Sequence, residues 1–193
     1  MKRLIIGISG ASGVIYGIRI LQILKGIDEI ETHLVITKGG KLNISLESDF
    51  SLKEIESMAD VVHNDRNLGA SIASGSFETS GMIVAPCSMK TLSGIVNSYA
   101  TNLIVRAADV ILKETRQLII VPRETPLHLG HTELLYKASL MGADIVPPNP
   151  AFYNQPKTID DIVNHTVGRV LDLAGVDNDL ETKQKEQWTT GGY

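Results

Sequence analysis

The sequence predicts a three-layer α/β domain in which helices cover both faces of a parallel sheet. Two observations predict it. Five short β-rich runs are spread along the chain: Arg3–Ile8, Thr32–Thr37, Gly81–Ala85, Gln117–Val121 and Asp144–Val146. Helical patterns separate these runs, and strands that alternate with helices build parallel sheets buried on both sides. Right-handed crossovers then bring every strand's carboxyl end to one edge. The architecture is of the Rossmann or flavodoxin-like type, whose ligands sit at that edge near the switch in strand order.

The elements follow in order. After the first strand, Ile15, Ile18, Leu21 and Leu24 recur at helical spacing, and Gly26 ends the run. Ser51 and Glu54 have capping-box spacing and open a helix that runs to about Met58. Asn102–Glu114 and Thr132–Met141 supply two more helices. Thr158 opens a long last one, with Ile159, Ile162, Val163, Val167, Val170 and Leu171 on its apolar side and an end near Gly175. The stretch His63–Thr79 is polar and long for a connection, which suits a lid or an oligomer contact. The expected organisation is one domain over residues 1–175, then a polar tail over 176–193 that carries the lone Trp188.

Composition bounds the function. The chain has 193 residues, 43% of them hydrophobic, enough for one domain with a substantial core. Its net charge of −4 gives no electrostatic footprint for nucleic acid or a membrane surface. The single Cys87 excludes an internal disulfide and fits a reducing compartment. No signal peptide or membrane-length apolar run is visible, so the expected location is cytoplasmic.

The segments just beyond the strand ends are Ser9–Gly13, Thr37–Lys41, Pro86–Leu92, Arg123–Pro126 and Pro147–Tyr153. They converge in space although they are scattered in sequence. In the first, GISGASG (7–13) joins a strand to a helix start, where free backbone N–H groups meet an anion. Gly10 and Gly13 permit close approach of a ligand, and Ser9 and Ser12 add hydroxyls. The spacing matches neither G-x-G-x-x-G nor the P-loop, and a turn that binds nothing is the plain alternative. In the third segment, Ser88 and Thr91 at a helix start suit an anion or the edge of a flavin; ordinary capping by Ser88 accounts for them equally well. Cys87 has no partner base in the sequence and reads as a packed small residue. Arg123 and Glu124 lie between two prolines, Arg suiting a phosphate and Glu proton transfer, or else they form a surface ion pair. Tyr153 and Arg169 make a phosphate clamp if the Pro-rich loop folds over the last helix. Arg106 and Lys113, seven apart, share a helix face that solvation alone explains. His128 and His131 have no third ligand near them, too little for a metal site.

As an ordered set the motifs GISGASG (7–13), HLVITK (33–38), SLESDF (45–50), ASGSF (73–77), APCSMKTLSGI (85–95), RAADVILKE (106–114), VPRETPL (121–127) and PAFYNQP (150–156) resemble the flavin prenyltransferases, the UbiX-like family once described as aromatic-acid decarboxylases. The resemblance runs from Lys2 to about Leu173 and points to a bacterial member. It implies a metal-independent transfer of a dimethylallyl group from dimethylallyl monophosphate to N5 and C6 of reduced FMN. The product, prenylated FMN, serves a UbiD-like decarboxylase in ubiquinone biosynthesis. The resemblance also implies a homo-dodecamer with sites at subunit interfaces. Gly10, Ala11, Ser12, Thr37, Ser88, Met89, Lys90, Thr91 and Arg123 would then contact FMN. Thr37 stands where the family more often has Ser. Tyr153 and Arg169 would bind the prenyl phosphate with Lys113, Arg123 and Glu124. Ser12 and Glu47 would handle protons, Arg106 would join the network across a subunit contact, and Trp188 would cover the prenyl group.

Two other functions use the same fold. An FMN-dependent cysteine decarboxylase of the phosphopantothenoylcysteine type needs an early-helix His and an Asn-bearing motif after the third strand; this chain has PCSMKTL there. A non-enzymatic FMN carrier needs the flavin loops but not Glu47, Lys113, Tyr153 and Arg169 together.

Overall fold

The computed structural model describes residues 1–178 and 180. Among these residues six strands form one sheet: β1 (Lys2–Ile8), β2 (Ile30–Ile36), β3 (Val61–His63), β4 (Gly81–Cys87), β5 (Gln117–Pro122) and β6 (Asp144–Ile145). Their order is β3-β2-β1-β4-β5-β6 and every pairing is parallel. Without β3 the five expected strands stand in the flavodoxin-like order, with the switch point between β1 and its neighbours. β3 is a short, partly exposed edge strand inside the polar connection.

Among the described residues seven α-helices flank the sheet: α1 (Val14–Leu24), α2 (Lys38–Glu47), α3 (Leu52–Glu56), α4 (Met89–Val96), α5 (Leu103–Lys113), α6 (Leu129–Leu140) and α7 (Ile159–Leu173). β1 shows why the apolar runs are continuous. Leu4, Ile6 and Ile8 pack on one face with α1 and α7, while Ile5 packs on the other with α4 and α5. Alternate side chains of a strand point to opposite faces, so both rows must be apolar. The helix α2 replaces the loop expected over Thr37–Lys41. Its first turn carries Gly39 and Gly40, poor helix formers that conceal it in sequence. Packing requires them: a Cβ on Gly40 would lie 2.6 Å from the Ile8 carbonyl oxygen. Gly17 holds α1 against β4 in the same way, since its Cβ would stand 2.3 Å from the Ala85 oxygen.

The connection expected as a lid or an oligomer contact is a strap tied to the body. Arg106 Nε donates to the Ala73 carbonyl at 3.2 Å, and Arg116 donates to the Gly75 and Phe77 carbonyls at 2.7 and 2.9 Å. Arg3 lies 4.6 Å over the Phe77 ring. Phe77 meets His33 edge-on, and His33 bonds both His63 (2.9 Å) and Glu31 (2.7 Å). Burial, reinforced by His33, pushes the His63 pKa below its ordinary value, and burial alone does so for His165. A folded-state pKa below the unfolded value means that the unfolded chain binds more protons as pH falls through about 6.5. This stabilisation is present above that pH and is lost below it. Acidification from pH 7.5 to 5.5 is therefore expected to lower the melting temperature by a few degrees. His63→Gln should flatten that slope, and a slope identical to wild type would remove His63 as its source.

Candidate flavin and phosphate site

Three helices, α1, α2 and α4, begin at the carboxyl ends of β1, β2 and β4, so their positive dipole ends meet at one edge. The loops between strand and helix are fastened to each other. Ser9 is fully buried: its Oγ donates to the Pro86 carbonyl (2.9 Å) and accepts from the Ser88 N–H (2.8 Å). Its hydroxyl is thus a structural tie between two loops, not the ligand-facing group expected from sequence. Ser12, one turn on, is partly exposed. Gly10 presses on Gly39, where a Cβ on either would lie 3.0 Å from the other's Cα. Ala11 beneath the loop is buried.

The amides at the start of α1 are not all free. Gly13 has a left-handed φ of 97° and no side chain with which to cap the helix. Glu47, at the end of α2, does so in its place: its carboxylate accepts from Gly13 N–H at 2.7 Å and Val14 N–H at 3.4 Å. A negative group already sits on the first α1 amides, so a ligand phosphate here needs other donors. Thr37 caps α2 by accepting from Gly40 N–H at 3.0 Å, which leaves its O–H proton to give. Ser88 caps α4, accepting from Thr91 N–H (3.3 Å) and donating to Thr91 Oγ1 (3.1 Å). Met89 and Thr91 are buried and Lys90 is exposed. Cys87 is fully buried, and burial pushes its thiol up to about 12, so it holds no reactive thiolate near neutral pH.

The β5 end adds charge. The Arg123 N–H donates to the Cys87 carbonyl at 3.2 Å, which docks this loop beside β4. The Arg123 and Glu124 side chains are exposed, with Glu124 Oε1 accepting from Thr125 N–H at 3.1 Å. The charged loop forms no Arg123–Glu124 ion pair. His128 Nδ1 caps α6 by accepting from Gly130 N–H at 3.0 Å, which accounts for the first His of HLGH. Among the described residues no group of three or more His, Cys, Asp or Glu is placed to hold a metal ion. Nor is any helix there long and apolar enough to cross a membrane.

Tyr153 lies in a 3-10 turn (Phe152–Asn154) that contacts α7 at His165. Its ring stands perpendicular to His165, with centroids 6.1 Å apart. Arg169 is exposed one helical turn beyond His165. The sequence pattern gives His165 no role. Lys113 and Arg106 are placed differently. Lys113 ends α5 just before β5 begins, at the sheet edge opposite the loop cluster, and it pairs with Glu114. Arg106 is bonded to Asp109 and the Ala73 carbonyl. The Lys113 end of α5 thus lies away from the loops of its own chain. Trp188 lies outside the described residues.

Hydroxyls, helix starts and the Arg123 loop lie along the carboxyl edge of a doubly wound sheet, where proteins of this architecture bind their ligands. The donor set of hydroxyls and helix starts fits a phosphate ester. The chain belongs to the Flavoprotein family, whose sequence model matches residues 1–171. It is 59% identical over 172 residues to the flavin prenyltransferase UbiX of Escherichia coli K12, covering 89% of this chain and 91% of that one. A dodecameric FMN-dependent UbiX-like decarboxylase from Escherichia coli O157:H7 superposes with a TM-score of 0.90 at 51% identity, covering 91% of this chain and 96% of the other. AnUbiX, solved with FMN and dimethylallyl pyrophosphate, gives 0.89 at 43% identity over 91% and 93%. FMN-dependent cysteine decarboxylases such as SpaF share the fold alone, at 16% identity.

Proposed function

We propose that this protein is a flavin prenyltransferase that joins a dimethylallyl group from dimethylallyl monophosphate to reduced FMN. The observation that carries this reading is its 59% identity, over nine-tenths of the chain, to an enzyme of that name. The geometry is consistent with it. Residues 1–175 form the flavin-binding unit.

Reduced FMN, when bound, supplies the N5 and C6 atoms that receive the dimethylallyl carbons. Gly10, Ala11, Ser12, Thr37, Arg123 and the Ser88–Thr91 turn hold the flavin. As the allylic C–O bond breaks, its electron pair leaves on the phosphate, and Tyr153, Arg169, Arg123 and Lys113 stabilise that charge. Glu47, whose carboxylate accepts from Gly13 N–H at the glycine loop, takes a proton from the flavin edge, and Ser12 assists it. Glu124 orders the donor end of the site. Trp188 excludes water from the prenyl group.

The opposite placement of Lys113 supports a site completed by a second copy of the chain, as does α6. That helix buries only Ala138 and exposes Leu129, Tyr136 and Leu140, an apolar face suited to a partner. We therefore read the protein as a homo-oligomer, a dodecamer by likeness to its relative, in the cytoplasm. It needs no metal and supplies prenylated FMN to a UbiD-like decarboxylase of ubiquinone biosynthesis. Anaerobic incubation with reduced FMN and dimethylallyl monophosphate, then mass spectrometry of the released flavin, tests the reading. A flavin heavier by the dimethylallyl group is expected; an unmodified flavin overturns it. The diphosphate offered in parallel decides the donor.

A further inference from the structure

We propose that His165 is the positioning residue of the prenyl-phosphate clamp, setting the Tyr153 loop at the height of Arg169. The inference rests on the reading of Tyr153 and Arg169 as phosphate ligands.

The loop before α7 is PPNPAFYNQPKT (147–158). Prolines lack the N–H that would tie such a segment down. Two rungs of α7 fasten it. Asp161 accepts from the Lys157 and Thr158 N–H groups at 2.8 and 2.9 Å and fixes the foot of the loop. One turn further, His165 holds the tip: Asn154 Nδ2 donates to His165 Nδ1 at 3.1 Å, and the Tyr153 ring packs edge-on against the imidazole. Gln155, in a left-handed conformation (φ 49°, ψ 53°), closes the turn directly behind. Arg169 is the next rung, about 6 Å along the axis. Residues 161, 165 and 169 thus form one ladder, in which the first anchors the loop, the second orients it and the third faces the anion.

The half-buried imidazole suits that task. An Asn154 donor requires a bare Nδ1, and burial lowers the His165 pKa, which favours the neutral ring. A neutral, edge-on ring orients Tyr153 without adding a competing charge to the phosphate. The α7 framework itself is held independently, by Arg19 of α1 bonding Asp160 and Asn164. Removing His165 therefore releases the loop tip but not the helix.

The test uses the full-length protein loaded with FMN. His165→Ala is expected to raise the dissociation constant for inorganic phosphate, measured by calorimetry, and the KM for dimethylallyl monophosphate about tenfold. Melting temperature and FMN affinity should not change. His165→Gln, whose amide oxygen accepts from Asn154, should recover most of the loss. Asn154→Ala should weaken phosphate binding as well, and the double variant should fall short of the summed effects. Phosphate binding by His165→Ala equal to wild type overturns the proposal. So does a loss of FMN affinity or melting temperature matching the loss of phosphate binding, which would make His165 merely structural. If wild type fails to prenylate, the functional reading falls, and the phosphate measurements still decide the role of His165.

Discussion

Glu47→Gln is expected to leave FMN bound while slowing prenylation about a hundredfold or more, the usual range for losing a positioned general base. The geometry makes this a clean substitution. Glu47 caps α1 through one carboxylate oxygen, and the glutamine amide oxygen can accept from Gly13 in the same place. The loop stays and the basicity goes. Glu47→Ala removes both, so it should slow turnover similarly and also cost about 1 kcal/mol of stability through the lost cap. Turnover and melting curves on the two variants separate the roles. Unchanged turnover in Glu47→Gln would leave the residue as a cap alone, with proton removal passing to the departing phosphate.

Lys113→Ala should also abolish most turnover, and mixing should partly restore it. Lys113 stands at the edge of the sheet opposite the glycine loop. If it serves a neighbour's site, oligomers reassembled from equal amounts of Lys113→Ala and Glu47→Gln chains contain some sites with both groups intact. Random assembly in a closed symmetric oligomer restores about a quarter of wild-type activity. If Lys113 served its own chain's loops, every site in the mixture would lack one group and no activity would return. Turnover against mixing ratio distinguishes the two.

Much of the fold was legible because burial on both sides of a parallel sheet leaves a plain trace. β1, β2, β4 and β5 are buried apolar runs, and α1, α5 and α7 bury apolar residues at helical spacing. β3 was not legible, because three half-exposed edge residues, Val61–His63, do not stand out from the polar strap around them. α2 was hidden by Gly39 and Gly40, which weaken any helical signal and are there for contacts with Gly10 and Ile8. In the site, Ser9 looked equivalent to Ser12. Only the bonds to Pro86 and Ser88, nearly eighty residues away, show that one is a tie and the other a surface hydroxyl.

The sequence by itself determined the layer architecture, the sheet edge at which the loops meet and, through its ordered motifs, the family. These are properties of local pattern: apolar period, capping residues and short stretches whose chemistry is carried by neighbours in the chain. The tertiary structure decided how the groups are shared. It placed the Glu47 carboxylate on the first amides of α1, set His165 against Tyr153 and Asn154, and put Lys113 at the far edge of the sheet. Each is a contact or a separation between distant segments. Such relations are set by the packing of helices on the sheet, and no local pattern encodes them.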